Sequence, residues 1–149
     1  METVNTVTKV APKKPKIKLD FKDSKYATGR RKKSIAKIWV KKGTGKIYVN
    51  GRTMDEYFTS GSHKMQITRP FEIINQATDY DVRCSVAGGG HTGQAGAMVH
   101  GIAKALILLD SENRAILKTE KLNTRDSRSV ERKKPGRRKA RRSFQFSKR

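Results

Sequence analysis

The chain has 149 residues, 34% hydrophobic and 32% charged, with 35 Lys and Arg against 13 Asp and Glu, for a net charge of +22. That length suits one small domain with tails, and that charge selects a polyanion, nucleic acid or an anionic membrane, as partner. The single cysteine, Cys84, excludes an intramolecular disulfide framework and a clustered cysteine metal site.

The charge is spread unevenly. Residues 1–33 hold eleven basic and three acidic side chains, residues 34–131 hold fourteen and ten, and residues 132–149 hold ten and none. The middle therefore reads as an ordinary globular domain and the ends as basic arms. Extended arms can lie along phosphates and release counterions, whereas a compact body so charged would repel itself. The expected division is a disordered Lys/Pro-rich extension over 1–25, a globular domain over 26–125 and an extended basic tail over 126–149.

The N-terminal METVNTVTKVAPKKPKIKLDFKDSKY lacks the apolar core of a secretory signal. It has no arginine before Arg30 and contains Glu2, Asp20 and Asp23, unlike a mitochondrial presequence. In SIAKIWV, Ala36, Ile38 and Val40 alternate with Ile35, Lys37 and Trp39, which predicts a strand. Gly43-Thr44-Gly45 turns it into a second strand, KIYVN. Asn50-Gly51 alone suggests a hairpin turn. Thr53 and Glu56, at capping-box spacing, predict a short helix to about Phe58 instead. Pro70 suits the first turn of a helix over FEIINQA, with Glu72 near its positive end. Tyr80, Val82, Cys84 and Val86 then alternate with Asp81, Arg83 and Ser85, a strand on which Cys84 packs as a small apolar group.

In AGGGHTGQAGAMVHGIAKALILLD, Gly88, Gly90 and Gly93 fit G-x-G-x-x-G after a strand and opening a helix. A dinucleotide site needs a further parallel strand ending in an acidic residue. The polar SENRAILKTEKLNTRDSRS, helical or irregular, follows instead, so no nucleotide site is read. Gly93, Ala95, Gly96 and Ala97 allow close packing of the helix on a sheet, and Met98, Ile102, Ala105, Leu106 and Leu109 supply its buried face. The turn at Gly88, Gly89 and Gly90 exposes amides suited to an RNA phosphate.

Its longest nearly apolar run, AMVHGIAKALILL, has thirteen residues, short of the roughly twenty that span a bilayer. No membrane partner is expected. His63, His91 and His100 show no ligand spacing, so no metal and no cofactor are expected. No nucleophile–base pair or paired carboxylates stand out, so the chain is not read as an enzyme. His100 is expected to be a packed or rim residue.

In the tail, Arg132, Lys133, Lys134, Arg137, Arg138, Lys139, Arg141 and Arg142 are candidate phosphate contacts, the arginines pairing bidentately. Phe144 and Phe146 would stack on bases or wedge into a crevice. Pro135-Gly136 limits any helix and allows a bend. The eighteen residues 132–149 span about 60 Å at roughly 3.3 Å each. A free-standing nucleic-acid compactor would share this charge, but would require neither the terminal Ser-Lys-Arg nor the glycine-rich helix start.

Three stretches in order, TGRRKKSIAKIWV, GGGHTGQAGAMVHGIAKAL and TRDSRSVERKKPGRRKARRSFQFSKR, resemble the family of the ninth protein of the small ribosomal subunit, bacterial type, from about Tyr26 to Arg149. The resemblance implies an α+β domain, a small mixed sheet packed with helices as in the second domain of the fifth small-subunit protein. It implies a place in the cytoplasmic bacterial ribosome, in the small-subunit head, beside neighbouring head proteins. There the chain would be a structural constituent bound to 16S-type ribosomal RNA. Its tail would reach tRNA in the peptidyl site during translation, with Ser147, Lys148 and Arg149 making that contact. The tail cations named above, with Arg30, Arg31, Lys32 and Lys33 at the domain's start, would bind ribosomal RNA. Two departures stand out: Phe144 occupies a position where the family commonly has proline, and the segment before Tyr26 exceeds the family core.

Overall fold

The computed structural model describes residues 21–76 and 79–147. The expectations for residues 1–20, Lys148 and Arg149 lie outside the described residues. Strand β1 (Lys25–Arg31) and strand β2 (Ser34–Lys42) form an antiparallel hairpin closed by Lys32 and Lys33. Strand β3 (Ile47–Val49) pairs antiparallel with the two-residue β4 (Arg52–Thr53). Helix α1 (Met54–Tyr57) and helix α2 (Gly61–Ile73) lead to strand β5 (Tyr80–Ala87), then helix α3 (His91–Leu109) and helix α4 (Asn113–Thr119). The sheet order is β1-β2-β5-β3-β4, with β3 parallel to β5 and the other pairs antiparallel. This is the expected α+β class with a mixed sheet.

Alternation builds β2 and β5 as expected. Ala36, Ile38, Val40, Val82 and Cys84 are buried, and the β2–β5 register sets Ile38 opposite Cys84 and Ala36 opposite Val86. Burial pushes the Cys84 thiol up, so it packs as a neutral apolar group. Helices α2 and α3 supply the rest of the core, with Ile67, Phe71, Met98, Ile102 and Leu106 buried, and Leu117 of α4 joins them.

Three expectations are corrected and one strand is added. The turn after β2 does not set β3 beside it, because β5 lies between them. The Asp81 carboxylate on β5 accepts from the amides of Thr44 (2.8 Å) and Lys46 (3.0 Å), which draws the turn across. Asn50-Gly51 does make a hairpin turn, with φ of 52° and 79°, the left-handed pair that two-residue β-loops favour. Asn50 also bridges the Val86 backbone, accepting from its amide at 2.9 Å and donating to its carbonyl at 3.1 Å. The capped helix follows as well, Thr53 Oγ1 accepting from the Glu56 amide at 3.4 Å.

Helix α2 starts at Gly61, so Pro70 is internal and Glu72 stands in the last turn. Its opening half is polar, and only Ile67, Pro70 and Phe71 are buried, which left no apolar period to read. Strand β1 was not expected at all, because its buried positions are the small Ala27 and Gly29.

Candidate nucleic-acid interface

Close approach of β1 to α3 organises the basic side of the domain. A Cβ on Gly29 would collide with the Ala97 carbonyl and the Gly101 amide, and one on Gly101 would meet the Gly29 amide at 2.9 Å. Strand and helix therefore cross backbone to backbone. Gly96, further along α3, leaves room for Arg31: a Cβ there would strike the Arg31 side chain. The helix glycines thus serve packing.

The turn Lys32–Lys33 and the turn Gly88–Gly90 lie side by side. A Cβ on Gly88 would fall 2.6 Å from the Lys33 carbonyl oxygen. The buried Ser34 hydroxyl donates to the Gly88 carbonyl at 3.1 Å, as does the Gln94 side chain at 3.2 Å. Gly88 and Gly89 are left-handed, at φ 72° and 60°. Gly90 precedes α3 with no side-chain cap, so the glycine turn and helix start are exposed next to two lysines.

A cavity of about 420 Å³ opens where β1, α2, α3 and the chain after α4 meet. Among the described residues six cations line it, Arg30, Arg31, Arg69, Lys121, Arg125 and Arg128, with Asp126 the single acid. Asp126 joins the tail to the domain. Its carboxylate accepts from Arg128 Nε (3.0 Å), Arg128 Nη2 (2.8 Å) and the Arg128 amide (3.1 Å), and pairs with Arg31 at 3.2 Å. These bonds hold its pKa far below the usual carboxylate range. Arg69 pairs with Glu120 at 2.8 Å. Arg30, Lys121 and Arg125 make no ion pair among the described residues, so the cavity keeps a net positive field.

His100 sits behind this edge, its Nδ1 accepting from the Arg30 amide at 3.3 Å. Burial first, then Lys104 and Arg125, push its pKa below the ordinary 6.5, against an opposing backbone bond with Asn123. The unfolded chain then takes up the proton more readily, so this contribution is intact above about pH 6.5 and is lost as pH falls. His100→Gln is expected to flatten the decline in stability between about pH 7.5 and about pH 5.5, read by urea denaturation at both. An unchanged decline would assign the acid sensitivity elsewhere.

The tail holds no helix or strand among its described residues. Arg132, Lys133, Lys134, Arg137, Arg138, Lys139, Arg141, Arg142 and Ser147 are all exposed. Gly136 is left-handed at φ 69°, and the Arg138 amide donates to the Arg142 carbonyl at 2.8 Å, so the chain bends after Pro135. Glu131 pairs with Arg141 at 3.0 Å. Arg138 stands 5.4 Å from the centre of the Phe144 ring, while Phe146 is 92% exposed.

Of the expected residues, the fold brings Arg30 and Arg31 to the cavity and Lys32 and Lys33 to the glycine turn. It gathers the tail cations around neither. Arg69, Lys121, Arg125 and Arg128 escaped the sequence reading because they are scattered between α2 and the tail root. Among the described residues no helix is long and apolar enough to cross a membrane. No group of three or more His, Cys, Asp or Glu could hold a metal there.

The sequence pattern described as "Ribosomal protein S9/S16" matches residues 29–149. The chain is also 49% identical over 146 residues to the protein named "Small ribosomal subunit protein uS9" of Rickettsia canadensis (strain McKiel), covering 98% of this chain and 91% of that one. Most of both chains is shared, from the crossing glycine of β1 to the final arginine, and the chain belongs to the ribosomal protein S9/S16 family.

Proposed function

We propose that this chain is a structural constituent of the small ribosomal subunit in the bacterial cytoplasm, a non-enzymatic protein that binds ribosomal RNA and touches peptidyl-site tRNA with its tail end. The observation that carries the reading is the convergence of six cationic side chains on one cavity at the root of a tail that carries no acid from Arg132 onward. Phosphates seated there neutralise Arg30, Lys121 and Arg125, and the arginines offer paired N–H donors. Lys32, Lys33 and the turn Gly88–Gly90 form a second backbone contact on the same domain, and Arg132 to Arg142 continue along the RNA. The acid-free terminus, Ser147, Lys148 and Arg149, suits the phosphates of a tRNA stem. Head proteins of the subunit adjoin the domain in this arrangement.

The test separates the two contacts. Removing residues 147–149 is expected to leave the chain in sedimenting small subunits at full stoichiometry. It is expected to weaken tRNA binding in the peptidyl site about ten-fold, the effect of losing one or two charge-assisted contacts. Filter binding of tRNA to the purified subunits reads this directly. Equal loss of incorporation and tRNA binding would remove the division of labour.

A further inference from the structure

We propose that the open face of the sheet is a stacking platform for unpaired RNA bases, a contact distinct from the cavity and the tail. The proposal rests on the RNA-binding reading above and adds to it a mode and a place. Helices α2 and α3 pack on one face of the sheet, and among the described residues the alternation of burial along β1, β2 and β5 leaves the other without a covering helix. Register assembles one transverse row on that face: Tyr26 opposite Trp39, Trp39 opposite Arg83, and Arg83 opposite Tyr48. Four strands thus contribute three aromatic rings and a guanidinium to a single line.

Geometry leaves the row receptive. Tyr26 is 46% exposed and Arg83 is exposed, while Trp39 and Tyr48 are half-buried, each keeping part of its surface accessible. The Tyr26 and Trp39 rings lie 5.3 Å apart at 43°, so they do not stack flat on one another. The Arg83 guanidinium carbon stands 5.6 Å from the Trp39 ring centre and extends the apolar surface with a planar cation. Tyr, Trp and Arg also favour protein interfaces, but lysine is depleted from them, and Lys37 stands beside this row. Lys37 flanks the row on β2 and supplies a cation for the phosphates of a strand whose bases lie on the rings. Lys41 stands opposite Asp81 and 5.0 Å from the Phe21 ring centre. Asp81, the acid of β5 on this face, already accepts from Thr44 and Lys46. Aromatic faces interleaved with cations are the chemistry of single-stranded RNA, whose unstacked bases stack on aromatic and guanidinium planes.

Trp39 is the only tryptophan, so the unmodified full chain reports on its own platform. A transcript of small-subunit ribosomal RNA is titrated while total binding is followed by filter retention. Saturation is expected to quench Trp39 emission strongly and to shield the ring from acrylamide. Trp39→Leu is expected to weaken binding roughly five- to hundred-fold, the value of one stacked base, and Trp39→Phe to restore most of it. Binding at full strength with unchanged Trp39 emission and acrylamide access would overturn the platform and leave the RNA reading standing. Loss of all RNA binding by the intact chain would overturn both. If a chain of residues 21–149 exposes Trp39 to acrylamide where the full chain does not, residues 1–20 occupy the face and the proposal fails.

Discussion

Gly29→Ala is expected to destabilise the domain by about 3 kcal/mol or more, the upper end of overpacking effects. The added methyl has nowhere to go: its neighbours are the Ala97 carbonyl and the Gly101 amide of α3, backbone atoms that no rotamer change can move. Relief requires sliding α3 off β1, which would disturb Ile38 and the buried row of Met98 and Ile102 behind it. A domain of ordinary stability, about 5–15 kcal/mol, would lose a large share. Urea denaturation of Gly29→Ala beside Gly61→Ala checks this, because a Cβ on Gly61 meets nothing within 4 Å. The second variant is expected to be neutral or slightly stabilising, since alanine restricts the unfolded chain. Similar midpoints for the two would show that the strand–helix crossing relaxes freely.

Replacing Arg137, Arg138, Lys139, Arg141 and Arg142 together by glutamine is expected to flatten the salt dependence of RNA binding. If each neutralises one phosphate, the slope of log affinity against log salt falls by roughly 3.5 to 4.5. All five are exposed, and among the described residues the one acid any of them pairs with is Glu131, which meets Arg141 at the surface. Exposed pairs contribute little to stability, so thermal unfolding of the variant should match the parent. Filter binding between about 50 and 200 mM salt reads the slope. A slope that stays put would mean that the domain's own cations carry the electrostatic contact and the tail lies elsewhere.

What the sequence disclosed depended on signal size. Strands β2 and β5 and helix α3 were readable because large apolar residues recur at the period of their element. The basic tail was readable from composition alone. Strand β1 was hidden because it buries only Ala27 and Gly29, residues chosen for closeness and not for bulk. The start of α2 was hidden by its polar first turns, and Pro70 then drew attention to the wrong end.

The candidate site was half legible. Arg30 to Lys33 and the tail are contiguous runs, so charge clustering found them. The cavity draws Arg69 from α2 and Lys121, Arg125 and Arg128 from beyond α4, and only the fold gathers them. The row Tyr26, Trp39, Arg83 and Tyr48 is further out of reach, since it depends on β5 inserting between β2 and β3. No local pattern encodes neighbours such as Arg83 and Trp39, 44 positions apart, or Arg83 and Tyr48, 35 apart.

Asp126 has a consequence for how quickly the tail can find anything. By gripping both Arg31 and Arg128, it fixes the point from which the remaining chain departs. Once the body is seated on its RNA, the last residues search a small volume around that root and no longer the whole solution. For a short flexible tether the effective local concentration reaches the millimolar range. A contact too weak to hold a free peptide can then be occupied most of the time, and can still let go fast enough for a ligand that must move on.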